Sequence, residues 1–484
     1  MAPGITILGL GPGDPKLLTT EAYNVLEEAS EIYLRTAQHP TVPALPGNLD
    51  VHAFDKVYET HEAFDKVYAE IVARVIQLGQ RPQGVLYAVP GHPLVAESTV
   101  RQILARGKQL EITIHIVHGL SFIEPVLAAL SLDPLDGLQL MDAIQVGMRH
   151  HPPLNPDQPA LLPQLYNRRL ASEVKLTLMN LYPDEHPVTL VTAAGTERET
   201  VLEVPLYELD RQESIDHLTT LYISPLPKPG SLNSFLEIVA HLRAPDGCPW
   251  DREQNHQTLR ASLLEETYEV LDALDREDTV ELCEELGDLL LQIVLHTQIA
   301  AEFNAFKMPD VAQGIIAKMV RRHPHVFGTT QVADSAQVLK NWAQIKADER
   351  QGKEDTSLLS SVPTALPALA RALALQKRVT RVGFDWPEIK GVIDKVAEEV
   401  GELHAATPEE RESELGDILF SLVNLARWLD IDPEVALRLA NQRFVQRFRI
   451  MEQLAQEQHR SLEELSLAEK DLLWETAKKR FREE

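Results

Sequence analysis

The sequence predicts a multidomain chain: an N-terminal α/β half of two lobes, then a C-terminal all-α half of duplicated helical bundles. Three observations carry that prediction. Short β-type runs alternate with helical patterns as far as about residue 224 and then stop. Pro225-Leu-Pro-Lys-Pro-Gly-Ser231 follows, and its prolines and glycine make a stiff, extended linker. Beyond it the same acidic and aromatic segments occur twice, in the same order.

Taken in order, the β-type runs are Ile5–Leu10, Ile32–Leu34, Gly84–Val89, Ile112–Val117, Thr189–Thr192 and Leu221–Ile223. The helical stretches between them include Thr20–Ala29, His61–Leu78 and Leu94–Ala105. After the linker, helical periodicity covers Ser234–Leu242, Leu259–Leu274, Val280–Phe303, Val311–Arg322 and Ala333–Gln351. It resumes at Ala365–Arg378, Ile389–Ala405, Glu409–Leu429, Pro433–Gln456 and Glu469–Arg482, a pattern of helical bundles. Glu265-Glu-Thr-Tyr-Glu269 recurs as Glu398-Glu-Val-Gly-Glu402, and Glu285-Leu-Gly-Asp-Leu-Leu290 as Glu414-Leu-Gly-Asp-Ile-Leu419. Trp342-Ala-Gln-Ile-Lys346 recurs as Trp474-Glu-Thr-Ala-Lys478. The expected domains are 1–224, a linker at 225–231, and repeats at 232–355 and 356–484, with the repeat boundary near Gly352–Leu366.

At 484 residues the chain is too long for one ordinary core. Lys+Arg is 46 against 73 Asp+Glu, a formal charge of −27. That balance disfavours a nucleic-acid partner or an anionic membrane surface, both of which want a basic patch. It still permits a phosphate ligand held through bound cations. Two cysteines, Cys248 and Cys283, build neither a disulfide framework nor a cysteine-based zinc site. The N-terminus has no basic stretch before its apolar run, unlike a signal peptide, and no apolar run reaches the roughly 18 residues of a membrane span. A cytoplasmic protein is expected.

Glu399 and Glu402 lie three apart on one helix face, as do Glu414 and Asp417. The second pair sits in a largely apolar helix, where a carboxylate is costly unless a cation meets it. Two such helices side by side gather four carboxylates, which then hold protons or bind a metal. An all-oxygen anionic site suits Mg²⁺, which keeps water and bridges to substrate phosphates. Glu398, one position away, could position or deprotonate a water. A single Glu-Glu-x-x-Glu run is usually a solvated helix face. Its recurrence, each time with an acidic pair in an apolar helix, favours the metal reading.

Residues 232–484 resemble the MazG family of nucleoside-triphosphate pyrophosphohydrolases. The matching residues include Gly247-Cys-Pro-Trp-Asp251, Leu264–Ala273, Arg322-His-Pro-His-Val-Phe327, Val382-Gly-Phe-Asp-Trp386 and both Glu-Leu-Gly-Asp segments. The resemblance implies hydrolysis of an NTP to the NMP and pyrophosphate, with water attacking the α-phosphorus. It implies Mg²⁺ on Glu399, Glu402, Glu414 and Asp417, with Glu398 assisting the water. In the first copy Glu266, Glu269, Glu285 and Asp288 take the ligand roles and Glu265 that of Glu398. Lys395 stands three residues before Glu398 and could contact a phosphate, where the first copy has Ser262. Arg443 and Arg447 share a helix face, as do Lys318 and Arg322; Arg443 stands where the family has Lys. Trp474 and Lys478 are further substrate-binding candidates. Phe384 or Trp386 is either a base-stacking residue or a core aromatic. These differences favour the second copy as the main site.

In the N-terminal half, Ile5-Thr-Ile-Leu-Gly-Leu-Gly-Pro-Gly-Asp-Pro15 is an apolar strand entering a glycine-rich turn. Its glycines alone equally serve a tight turn, and Pro12 and Pro15 oppose the helix that a dinucleotide fingerprint opens. Further turns at Pro90–Glu97 and Val191–Gly195 outline a crevice between two lobes. Residues 3–224 resemble the tetrapyrrole methylases, through Gly9-Leu-Gly-Pro-Gly-Asp14, Tyr87-Ala-Val-Pro-Gly-His-Pro93 and Gly119-Leu-Ser121. The resemblance implies S-adenosylmethionine as cofactor, held around Gly11, Pro12, Gly13, Pro90, Gly91, His92, Ser121, Ala194 and Gly195. His92 stands where many members carry Asp, which leaves the acceptor open and makes His92 a general base or an ordinary turn residue. Methyl transfer needs mainly in-line positioning and no conspicuous triad.

The domain order resembles a bacterial fusion of these two families. The leading reading is an enzyme that removes NTPs, non-standard or damaged ones among them. A second is an S-adenosylmethionine-binding sensor that regulates the hydrolase. A third is a tetrapyrrole methyltransferase with a structural helical half, which the two acidic quartets and Lys395 disfavour. The MazG resemblance further implies a homodimer with sites at or near the subunit interface.

Overall fold

The computed structural model describes residues 4–61, 64–349, 357–360 and 362–483. Strands β1 Ile5–Gly9, β2 Glu31–Leu34, β3 Asp50–Ala53, β4 Val85–Val89 and β5 Ile114–Val117 form one sheet in the order β3-β2-β4-β1-β5. Every pair in it is parallel. Helices α1 Thr20–Glu28, α2 Asp55–Thr60, α3 Phe64–Gly79 and α4 Ser98–Gln109 fill the crossovers. Side-chain alternation sorts the two faces. Ile5, Ile7, Val85, Tyr87 and Val89 pack onto Val67, Ile71 and Val75 of α3 and Val100 and Ile103 of α4. Leu8, Leu86, Ala88, Ile32 and Leu34 turn the other way, onto Ala22 and Leu26 of α1. Burial on both faces explains why Val85–Val89 reads as an unbroken apolar run.

After α5 Ile123–Leu130 comes a second sheet of β6 Gln139–Leu140, β7 Ala160–Leu162, β8 Pro187–Thr192, β9 Thr200–Pro205 and β10 Thr219–Ile223. Its order is β6-β7-β10-β8-β9, antiparallel except for the β6–β7 pair. Helix α6 Ala143–Gly147 precedes β7, and α7 Arg168–Leu178 packs Leu170, Ala171, Val174 and Leu178 into the core of this lobe. Asn167 starts α7 by accepting a hydrogen bond from Leu170 N. Strands β3 and β9 carry no apolar alternation because each is a sheet edge, exposed along most of its length.

The helical half comprises α8 Leu232–Leu242, α9 Pro249–Glu253, α10 Arg260–Asp275, α11 Thr279–Glu302, α12 Met308–Arg322, α13 Pro324–Phe327 and α14 Ser335–Asp348. It continues through α15 Ala368–Val379, α16 Ile389–Ala405, α17 Arg411–Trp428, α18 Pro433–Glu457 and α19 Leu467–Glu483. Among the described residues no strand follows β10, and no helix is long and apolar enough to cross a membrane. The chain divides into two compact units, up to Gly314 and from Ile315. In the first, α10 packs on α11 and α11 on α8; in the second, α16 packs on α17, α15 on α17 and α18 on α19. Within the expected repeat boundary at 352–366, residues 352–356 and 361 lie outside the described residues, as do Arg350 and Gln351 at the end of the helix expected over 333–351.

The linker is pinned to the second lobe. Leu226 N donates to Pro156 O at 2.8 Å, and Gly230 N and Ser231 N donate to the Asp157 carboxylate at 2.8 and 3.1 Å. Ser234 Oγ donates to the same carboxylate. Burial raises the Asp157 carboxyl, but the hydrogen bonds from Ser231, Ser234 and Gly230 outweigh it and hold it at about 2.

Candidate functional site

In the second copy α16 carries Lys395, Glu398, Glu399 and Glu402, while α17 carries Glu414 and Asp417. Carboxylate oxygens of Glu399, Glu414 and Asp417 lie within 4.8 Å of one another. Glu399 is only 5% exposed, and Lys395 places its Nζ 2.8 Å from both Glu399 Oε1 and Glu398 Oε1. Those hydrogen bonds, Glu398's first, raise the Lys395 pKa and keep it a cation. Glu402 stands outside the trio; burial, then the Glu399 charge, pushes its carboxyl up. Glu398 is exposed.

Beside the acids lies a cavity of about 360 Å³, whose wall includes Lys395, Glu399, Asp417, Phe384 and Trp386. Trp386 is placed by Gly391 in the first turn of α16, where a β-carbon would run into the indole Cδ1. The neighbouring Asp385 accepts from Arg427 Nη1 and Nη2 at 2.9 and 2.6 Å and from Trp428 Nε1 at 3.1 Å. Burial raises the Asp385 carboxyl, and these hydrogen bonds outweigh it, leaving it below the usual range.

The first copy repeats the trio with Glu266 on α10 and Glu285 and Asp288 on α11, again within 4.8 Å. Ser262 offers no charge here. Burial, then Asp288 and Glu269, pushes the Glu266 carboxyl up; burial, then Glu269 and Asp288, does the same to Glu285. Glu265 and Glu269 are exposed. A cavity of about 640 Å³ opens beside Asp288, walled partly by Ser231 and Ser234 of the pinned segment and by Phe235 and Leu291.

The remaining substrate-binding candidates are placed elsewhere. Arg443 and Arg447 lie on α18, Trp474 and Lys478 on α19, and none is in the wall of the cavity beside Glu399. Arg447 lies over the Phe481 ring at 5.1 Å, Trp474 packs on Phe444 at 5.3 Å, and Lys478 pairs with Glu475 at 2.6 Å. Arg322 is held by Glu349 at 2.6 Å and lies 6.0 Å from the Trp342 ring centre, while Lys318 is exposed.

The N-terminal crevice opens where β1, β4 and β5 end. Gly11 and Gly91 exchange backbone hydrogen bonds at 3.3 and 2.8 Å, and both have left-handed φ, 72° and 67°, which favours glycine. A cavity of about 170 Å³ is lined by Gly11, Pro12, Pro90, Gly91, His92 and Ala194. Gly13, Ser121 and Gly195 are off its wall and serve the turns. Gly13 O accepts from Thr41 Oγ1 at 3.1 Å, Ser121 Oγ donates to Glu124 at 2.6 Å, and Gly195 N donates to Glu199 at 2.7 Å. His92 Nδ1 accepts from Leu94 N, so its Nε2 carries the hydrogen toward His118 Nδ1 at 3.1 Å. Burial, then His118, lowers the His92 pKa.

Sequence reasoning missed Arg35, His39, Glu97 and His217, which line the same cavity. Arg35 Nη1 meets Glu97 Oε1 at 2.7 Å, with Glu97 only 4% exposed. Arg35 Nε, Glu97 Oε2 and His39 Nδ1 are buried without a partner. Burial lowers the His39 pKa to about 4. Arg35 and Glu97 are 62 residues apart, so no local pattern joins them; the one signal was a glutamate closing the turn at 90–97. Ala96, Gln164 and Ala193 hold left-handed φ of 57°, 65° and 53° around this cavity, strain of the kind that gathers at ligand sites.

Comparison with known proteins places both halves. Residues 4–210 match the tetrapyrrole (corrin/porphyrin) methylases, and residues 254–327 match the MazG nucleotide pyrophosphohydrolase domain. The chain is 42% identical to the uncharacterized protein YabN of Bacillus subtilis over 99% of each. It is 45% identical to the nucleoside triphosphate pyrophosphohydrolase/pyrophosphatase MazG of Thermotoga maritima, over 50% of this chain and 94% of that one. With the nucleoside triphosphate pyrophosphohydrolase of Escherichia coli it shares 43% identity, over 51% of this chain and 97% of that one. A doubly wound methylase fold followed by acid-bearing helix pairs defines a fusion of two domain types. The chain belongs to the family that joins a tetrapyrrole methylase domain to a MazG nucleotide pyrophosphohydrolase domain.

Proposed function

We propose that the helical half hydrolyses nucleoside triphosphates to nucleoside monophosphate and pyrophosphate, chiefly in the second copy, and that the α/β half binds S-adenosylmethionine. One observation carries the reading. Three carboxylates from two packed helices converge within 4.8 Å beside a cavity walled by Phe384 and Trp386, with Lys395 on the same wall. The Thermotoga maritima and Escherichia coli relatives are named for this activity.

The donor set fits a hard divalent cation: oxygen ligands only, three of them within 4.8 Å of one another. Glu399, Glu414, Asp417 and Glu402 would hold Mg²⁺, which when bound polarises phosphate oxygens. Lys395 is a cation at the same edge and would meet a phosphate. Glu398, exposed beside it, would take the proton of the attacking water. Trp386 and Phe384 offer faces to a base. The first copy, 232–355, repeats the acids without the lysine and takes a weaker or structural role beside the second, 356–484.

In the α/β half, the unpartnered Arg35 Nε, Glu97 Oε2 and His39 Nδ1 fit a ligand carrying both donors and acceptors, as S-adenosylmethionine does. Exposed Leu415, Leu419 and Leu422 on α17 and Phe444 and Val445 on α18 support pairing with a second copy of the chain.

The test is pyrophosphate release from a panel of NTPs and dNTPs with Mg²⁺ or EDTA, using wild type, Glu402→Gln and Glu269→Gln. Mg²⁺-dependent release abolished by Glu402→Gln is the expected result. Loss only in Glu269→Gln would move the site to the first copy. No release from any nucleotide would defeat the proposal.

A further inference from the structure

We propose that Gln376 reads the base of the triphosphate in the second copy. Its side-chain oxygen would accept a hydrogen bond from an N–H on the base edge, so that this copy takes nucleotides whose base presents such a donor. The inference rests on the pyrophosphohydrolase reading of the same site.

Gln376 lies on α15, is 5% exposed, and forms part of the wall of the cavity that Lys395, Glu399 and Asp417 also line. Its Nε2 donates to Phe420 O at 2.8 Å. A carbonyl oxygen accepts and cannot donate, so this bond fixes which end of the amide is nitrogen. Oε1 is then the other end, and it is buried without a partner. A buried acceptor left unpaired is costly, and a cavity beside it is where a donor can arrive. A triphosphate joined to the acids through the cation they would hold would leave the base in this cavity, against Phe384 or Trp386.

A second amide is locked in the complementary sense. Asn424, 6% exposed, accepts on Oδ1 from Arg427 Nε at 2.9 Å and Nη2 at 2.8 Å, which leaves Nδ2 as its other end. The wall thus combines an acceptor and a donor, both held by neighbours rather than free to flip. Neither amide recurs in the wall of the first copy's cavity, and the buried Gln292 of that copy, whose Oε1 also lacks a partner, lies outside that wall. Aligning the Glu-Leu-Gly-Asp segments puts Leu295 at the place of Asn424, and aligning Gly247 and Trp250 with Gly383 and Trp386 puts Ala240 at the place of Gln376. Base selection would therefore belong to the second copy alone.

The experiment uses the full chain carrying Glu269→Gln, which silences the first copy. kcat/KM for pyrophosphate release is measured for ATP against purine riboside triphosphate, which lacks the amino group. UTP is set against its N3-methyl analogue, which lacks the imino N–H. The donor-bearing nucleotide should be preferred about 5- to 150-fold in at least one pair. Adding Gln376→Leu should bring that ratio to near one by slowing the donor-bearing substrate. A ratio taken within one preparation is unaffected by the fraction of folded protein. Ratios near one before the second substitution, or a preference that survives it, would overturn the assignment. Absence of pyrophosphate from every nucleotide would instead remove the reading on which it rests.

Discussion

Gly391→Ala tests how the cavity wall of the second copy is built. Within a helix this exchange normally stabilises by roughly 0.5–1 kcal/mol. Here the new methyl would run into Trp386 Cδ1 and stand 3.2 and 3.3 Å from Nε1 and Cγ. Keeping the indole in place would cost about 1–3 kcal/mol of overpacking. Trp386 is 40% exposed, so moving the ring outward is the cheaper response. The propensity gain and the displacement then nearly cancel in stability, and the net change should be within about 2 kcal/mol of zero. Function has no such cancellation. A base stacked on an aromatic ring is worth about 1–3 kcal/mol. Losing it lowers kcat/KM roughly 5- to 150-fold, mostly through KM, because stacking acts on ground and transition states alike. Pyrophosphate release by wild type and variant, with a urea titration of each, reads both quantities. A variant that gains the full helix-propensity stabilisation and keeps wild-type kcat/KM would refute the reasoning, since Trp386 would then be neither displaced nor needed.

Two further expectations concern the α/β half and its attachment. Glu97→Gln removes the charge opposite Arg35 in a buried pair and should destabilise this half by about 3–5 kcal/mol, with Arg35→Met/Glu97→Leu recovering much of the loss; an unchanged urea midpoint in Glu97→Gln would show that the pair carries no such weight. Asp157 has a folded pKa of about 2, below its ordinary 3.8, so its contribution is complete above the unfolded value and lost as pH falls through the folded one. Amide exchange at Gly230 and Ser231, corrected for intrinsic rates, should therefore stay protected above pH 3.8 and lose protection toward pH 2, and Asp157→Ala should abolish it at neutral pH.

How much of this was legible depends on whether the information is local. Each expected acid quartet has three members that converge, because helical spacing puts Glu414 with Asp417 on one face, while Glu402 and Glu269 stand outside; duplication supplied a check that a single motif lacks. The parallel sheet was readable where strands are buried on both faces, as at Val85–Val89, and unreadable at Asp50–Ala53 and Thr200–Pro205, where edge strands lack an apolar pattern. Arg35 with Glu97, Gln376 with Phe420, and Asn424 with Arg427 are tertiary or amide-orientation facts that composition does not encode. Trp386 was ambiguous between ligand platform and core aromatic until the cavity and Gly391 defined its surroundings. Proline spacing gave the linker but not Asp157, which turns a spacer into a fixed attachment.

The difference between the two acid clusters turns first on one position. Glu399 is a buried carboxylate with Glu414 and Asp417 within reach, an arrangement that like-charge repulsion alone would open or protonate. Lys395, one turn back on the same helix, supplies the missing charge at 2.8 Å. The second copy can therefore bury its central acid and keep a tight wall beside it before any ligand arrives. The first copy has Ser262 there, its Glu266 remains half-buried, and the strongest charges acting on it are other carboxylates. Its cavity is the larger, about 640 against 360 Å³, and is partly walled by the segment that Asp157 ties to the α/β half. On the proposed reading, a lysine that settles the acids also meets the triphosphate, and the locked amides behind it read the base. The first copy keeps the acids but lacks all three groups, which is why catalysis and base selection are assigned together to the second.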